Sequence, residues 1–221
     1  MTRRTLCWLV LLVAGLTAFP TPAAAHRLDE YLQATRLDIG ADRIVLEIDL
    51  TPGASIASQI VEQIDADRDG SLSSDERRRY AQAVVSSIIV SIDGRSMSVA
   101  LTAAEFPASA PMAAGMGTIR VRAAVDRPAG SGRHRLLYRI GPLNASSVYL
   151  VNALIPSDAR VQLGPPHRDP PQRELVLDFS VAPDAAVLRT AWVAIALTAL
   201  GGLVARRCAR SQINQDLDQL L

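Results

Sequence analysis

Hydrophobic and polar positions follow different rhythms along this chain. Between Arg43 and Leu50 the alternation is strict, with Ile44, Leu46, Ile48 and Leu50 on one side and Glu47 and Asp49 on the other. A period of two sends successive side chains to opposite faces of an extended chain, so this segment reads as a strand with one buried face. Tyr31–Asp38 alternates more loosely, and Ile39-Gly40-Ala41-Asp42 reads as the turn between the two. From Ile56 the period becomes four: Ile56, Ile60 and Ile64, with Val61 beside Ile60, and then Tyr80, Val84 and Ile88. Side chains four apart share a helix face, which predicts two helices on either side of residues 65–76. Pro52 suits the start of the first, because its missing N–H is not needed in a first turn. Alternation then returns. Ile89–Asp93 and Ser96–Leu101 are joined through Gly94-Arg95, and Asp93-Gly94 is a hairpin signal. Strands are also predicted at Thr118–Val125, Arg135–Ile140, Ser147–Ile155, Arg160–Leu163 and Glu174–Val181, with the proline-rich stretch Gly164–Arg173 as a loop. Short strands at close intervals predict a mainly β fold, an antiparallel β-sandwich with a helix-loop-helix inserted at about residues 52–88.

Near each end the rhythm disappears into an unbroken apolar run. Arg3 and Arg4 precede Leu6–Phe19, and Ala23-Ala24-Ala25 follows shortly after. A charged start, an apolar middle and an A-x-A site predict a signal peptide over residues 1–25, so that His26 begins the mature chain. At the other end Thr190–Ala205 carries no charge, and counting back to Ala185 lengthens the segment to a bilayer-spanning 185–205. Arg189 lies near the helix end, where a long side chain reaches the interface, and Trp192 suits an interfacial aromatic. Arg206, Arg207 and Arg210 come next, and the positive-inside rule places a tail of residues 206–221 in the cytoplasm. Pro183-Asp184, the apolar run and the arginines also resemble bacterial C-terminal sorting signals, which are processed after export. The expected organisation is a single-pass bacterial inner-membrane protein with a periplasmic domain over residues 26–184.

Composition narrows the possible partners. The 23 basic residues are all arginine, a bias that suggests a GC-rich bacterial genome. Cys7 and Cys208 both lie outside the expected external domain, which must therefore be stabilised by burial rather than by disulfides. From His26 to Leu188 there are 20 acidic side chains and 17 arginines, a balance of −3 that argues against a nucleic-acid partner. The sequence carries no G-x-S-x-G, phosphate-cradling loop or H-E-x-x-H, so a non-enzymatic role is expected. His134 and His167 read as surface histidines, Asn144-Ala145-Ser146 as a turn, and Arg77–Arg79 as a solvated helix face.

Chemistry concentrates between the two helices. Asp65-Ala-Asp-Arg-Asp-Gly-Ser-Leu-Ser-Ser-Asp-Glu76 places carboxylates at loop positions 1, 3 and 5, glycine at 6 and glutamate at 12. A hard cation takes six to eight oxygens at about 2.3–2.6 Å, and this spacing offers them from one short segment. Asp65, Asp67 and Asp69 would each give a side-chain oxygen and Ser71 its carbonyl. Ser73 would bind directly or through water, and Glu76 would close the site through both oxygens. Leu72 would turn inward to support the loop. The run resembles the EF-hand family at every position of its loop pattern. That resemblance implies bound Ca²⁺, and the lack of a second loop in the sequence points to a structural clamp in a binding or scaffolding domain. A second role is also open. His26, as a mature N-terminus, would present an amine and an imidazole together, a pair that chelates copper or nickel. The wider pattern resembles bacterial membrane-anchored proteins with EF-hands. More weakly, it is similar to the external N-terminal domains of nickel/cobalt permeases, implying an accessory role beside another membrane or periplasmic protein such as a metal permease.

Overall fold

The computed structural model describes residues 28–127 and 130–184. The predicted signal peptide, His26, the apolar segment 185–205 and the tail lie outside these residues. Among the described residues no helix is long and apolar enough to cross a membrane.

The fold is mainly β, in two sheets. The first strands are β1 (Tyr31–Ile39) and β2 (Arg43–Pro52). Two helices follow, α1 (Ala57–Ile64) and α2 (Ser74–Ser86), and then β3 (Ile88–Ile92) and β4 (Arg95–Met97). β5 (Ala100–Glu105), the short α3 (Ser109–Ala113) and β6 (Ile119–Asp126) come next. The chain is completed by β7 (Gly132–Ile140), β8 (Ser147–Ala153), β9 (Val161–Leu163), β10 (His167–Arg168) and β11 (Glu174–Val181). One sheet has the order β5-β6-β2-β1-β8, the other β10-β11-β7-β3-β4, with β9 also on β11. Their inward residues form one core, among them Leu37, Leu46, Ile48 and Val121 from the first sheet and Leu136, Leu177 and Phe179 from the second. Thr35 and Tyr138, both buried, join the sheets through a hydroxyl–hydroxyl bond of 2.8 Å. Alternation in β2 is as expected, with Ile44, Leu46, Ile48 and Leu50 all fully buried.

Four expectations are corrected. The sheets are not wholly antiparallel, because β8 runs parallel to β1. The β7–β8 connection crosses between sheets at the end where β1 also begins, as the bond from Tyr31 N–H to the Ser146 carbonyl at 2.9 Å shows. The first helix does not start at Pro52. That residue ends β2 opposite Tyr31, and bonds from Gly53 N–H to Glu30 O and Ser55 N–H to Leu28 O hold the chain until Ile56. Ile88 opens β3 rather than closing α2, although it points inward as its spacing suggested. Ser96–Leu101 is not one strand: β4 pairs with β3 in one sheet and β5 with β6 in the other, so the chain changes sheet between them. The Asp93-Gly94 hairpin does form, with both residues at positive φ (53° and 78°) and Ile92 opposite Arg95. Two central residues of this kind match the right-handed twist of the strands.

The register also gives the molecule two poles. At one lie the starts of β1, β3 and β8 and both longer helices. At the other lie the β1–β2 turn, Asp93-Gly94, the start of β7 opposite Val181, and the end of β11. The helical segment is therefore more than an insertion; it carries the chain from β2 in one sheet to β3 in the other.

Candidate metal centre

Local sequence chemistry shapes the loop between α1 and α2. α1 buries Ala57, Ile60 and Ile64, and its last N–H bond runs from Asp65 to the Val61 carbonyl. The chain then turns sharply, with Arg68 at φ 61° and Gly70 at φ 81°. Glycine adopts that conformation without the cost a Cβ brings, and no neighbour crowds the position. Leu72 turns inward and is buried, as its place in the loop predicted. Ser73 then caps α2. Its hydroxyl accepts the Glu76 N–H at 3.3 Å while its own N–H donates to Glu76 Oε2 at 2.9 Å, a reciprocal capping box. Beyond it Tyr80, Ala81, Val84 and Val85 face the core, and Arg77, Arg78 and Arg79 remain in water.

Asp65, Asp67 and Glu76 converge, with one carboxylate oxygen from each lying within 4.8 Å of the others. Asp65 and Glu76 are buried, at 6% and 2% exposure, while Asp67 is open to solvent. Main-chain donors hold the carboxylates in place. Asp65 accepts from Gly70 N–H at 2.9 Å and Asp69 N–H at 3.2 Å. Glu76 Oε1 accepts from Ala66 N–H at 2.7 Å, and Oε2 takes the Ser73 hydroxyl at 2.7 Å. The Ser73 hydroxyl and backbone bonds pull the Glu76 carboxyl down to about 2, with the Ala66 N–H adding to the effect. Asp67 moves the other way. The Asp69 N–H lowers its pKa, but desolvation and the charges of Asp69 and Glu76 outweigh that bond and raise it. Carboxylates that repel one another at this range are a site a dication relieves.

Of the four predicted carboxylate ligands, three are thus brought together. Asp69 instead accepts the Ser71 N–H at 2.7 Å, and Ser73 is engaged in the helix cap. Every donor in the cluster is oxygen, with no imidazole or thiol, which suits a hard cation over a transition metal. The histidine-based site cannot be placed, because His26 falls outside the described residues. The loop is also tied to the fold: Tyr80 on α2 bonds the buried Tyr31 hydroxyl at 2.6 Å and meets Phe106 edge-on at 6.3 Å between ring centres.

At the opposite pole is a cluster that the sequence did not reveal. His134 is not a free surface histidine; its side chain is 17% exposed and lies against Phe179. Arg127 Nη1 lies 3.2 Å from Nε2, and Asp93 Oδ2 lies 2.8 Å from Nδ1. Since a guanidinium only donates, Nε2 accepts and Nδ1–H donates to Asp93. The His134 and Arg135 N–H bonds hold the Asp93 carboxyl below its usual range. Arg127 is itself buried and donates to the Ala41 and Gly130 carbonyls. The contacts bring together residues far apart in sequence, and no local pattern signals them. His167 stays exposed, and Asn144 forms the expected turn by accepting the Ser146 N–H.

Comparison with protein-family models, curated proteins and solved structures finds no match to this chain.

Proposed function

We propose that residues 65–76 bind Ca²⁺ and that the ion acts as a structural clamp in a membrane-anchored, extracytoplasmic binding or scaffolding domain. The observation that carries this reading is the convergence of Asp65, Asp67 and Glu76 in a loop whose main-chain N–H groups already orient them. The loop's six-position match to an oxygen-donor pattern supports calcium, and its place in the crossover between the sheets supports a clamp. An extracytoplasmic loop meets calcium at levels where a dissociation constant of about 10⁻⁴–10⁻³ M suffices. Main-chain preorganisation also lowers the ordering cost of binding.

The test is thermal unfolding of the purified chain in chelator and in Ca²⁺. At a hundredfold excess over the dissociation constant, a ligand specific to the folded state adds about 2.7 kcal/mol. For a domain of this size that is roughly 5–10 °C in melting temperature. Asp67→Ala is the informative variant, because Asp67 is exposed and stands outside the helix cap. It is expected to fold and to lose the shift. An unchanged melting temperature in the wild type at about 100 mM Ca²⁺, a hundredfold above the weakest expected dissociation constant, rules the reading out.

A further inference from the structure

The pole away from the candidate calcium loop displays an apolar corner. Ile155 is 93% exposed and Leu154 beside it 42% exposed, with Pro156 next in the chain. Isolated apolar side chains on a surface are ordinary, but these are consecutive and occupy the tip of a firmly held loop. Leu154 N–H bonds the Leu37 carbonyl at 2.8 Å, and the Ser157 hydroxyl bonds Asp38 at 2.8 Å. Asp158 accepts the Ala41 N–H at 3.2 Å and pairs with Arg160, which also reaches Asp42. A loop fixed from both sides does not collapse to hide Leu154 and Ile155. The rim sets three carboxylates, Asp38, Asp42 and Asp158, against one arginine, Arg160, so contact with lipid is carried by the apolar tip and not by charge.

The end of the fold lies against the same loop. Ala182 N–H donates to the Arg160 carbonyl at 2.8 Å, so β11 finishes beside the corner, and the described chain stops two residues later at Asp184. The next residues, 185–205, are the apolar segment. We infer that Leu154, Ile155 and Pro156 rest in the lipid interface, forming a second contact between the domain and the bilayer into which segment 185–205 inserts. This inference depends on that segment being an anchor. It fixes the orientation of the domain: the exit pole faces the lipid, and Asp65–Glu76 points outward. β1, with nine residues, separates the two poles by about 30 Å.

The experiment uses the full chain in proteoliposomes of phosphatidylethanolamine and phosphatidylglycerol. Cys7 and Cys208 are replaced by serine, and an environment-sensitive fluorophore is placed at Ile155→Cys or, as the opposite-pole control, at the exposed Met116→Cys. Alkaline carbonate extraction first reports on the anchor. The expected result is a chain retained in the pellet, with the label at 155 blue-shifted and quenched by nitroxide lipids several-fold more than the label at 116. Retention with both labels in water overturns the corner contact while leaving the anchor intact. A label at 155 that is shielded from water yet not quenched by the lipid probe means that protein covers the corner, and overturns it too. Release by carbonate removes both the anchor and the inference.

Discussion

The Tyr31 hydroxyl is wholly buried, and Tyr80 is its partner at 2.6 Å. Burial pushes the Tyr31 phenol well above its usual range, and the neighbouring Tyr80 adds to the shift. Burial raises Tyr80 as well, so both phenols are neutral at pH 7. Removing one hydroxyl strands the other in a dry core, which costs about 1–3 kcal/mol, whereas removing both is close to neutral. Tyr31→Phe and Tyr80→Phe are each expected to destabilise by that amount, and the double variant by much less than their sum. Denaturant unfolding of the four proteins checks this; additive losses would show that the hydroxyls do not depend on each other. Glu76 makes a prediction about acid. Its carboxyl is held at about 2 against an ordinary 4.5, so the contribution is complete above 4.5 and is lost as pH falls towards 2. In chelator, Glu76→Gln should be less stable than wild type at neutral pH, and its melting temperature should fall less steeply through that acid window. Parallel pH profiles for the two proteins would show that Glu76 is not the group involved.

At the level of elements, Gly94 and Gly115 separate conformation from packing. Both have positive φ, 78° and 73°, but a Cβ at Gly94 would meet open space while one at Gly115 would lie 2.6 Å from the Ala54 Cα. Gly115 ends α3 and lets it approach the segment leading into α1, an arrangement that glycine at a helix C-terminus permits. Gly94→Ala is expected to cost about 1 kcal/mol from backbone conformation. Gly115→Ala must also displace backbone, and is expected to cost several times as much; comparable losses in denaturant unfolding would count against this packing argument. Elements of this kind differ in how clearly sequence announces them. The hairpin at Asp93-Gly94 and the alternation of β2 are local, and so were legible. So were the inward Leu72 and the loop carboxylates. The division of residues 96–101 between two sheets, the parallel β8, and β10 within the proline-rich stretch were not, because pairing partners rather than local period decide them. The same holds for His134. Its partners Arg127, Asp93 and Phe179 come from separate segments, and the flanking arginines gave the opposite impression.

On the scale of the whole molecule, the helical crossover makes the candidate calcium site a junction rather than an appendage. Only residues 53–56 separate the end of β2 in one sheet from α1, and α2 hands the chain to β3 in the other. Tyr80 then returns to β1 through Tyr31, so tightening the loop acts on both sheets at a single pole. The opposite pole is held by other means: Arg127 bonded to Ala41 and Gly130, and Arg160 bridging Asp158 and Asp42. Among the described residues, no cluster of three or more ligand-type side chains lies there. This asymmetry predicts how an ion is felt. Hydrogen exchange with and without Ca²⁺ should show added protection through α1, α2 and the start of β3, and at the first residues of β1 through the tyrosine pair. Amides of residues 154–160 should exchange unchanged, except for any gain from global stability, which every slow amide shares equally. Asp67→Ala should abolish the added protection, and Tyr80→Phe should retain it in α2 while losing it at the start of β1. Protection confined to residues 65–76 would mean that the ion orders its own loop and clamps nothing beyond it.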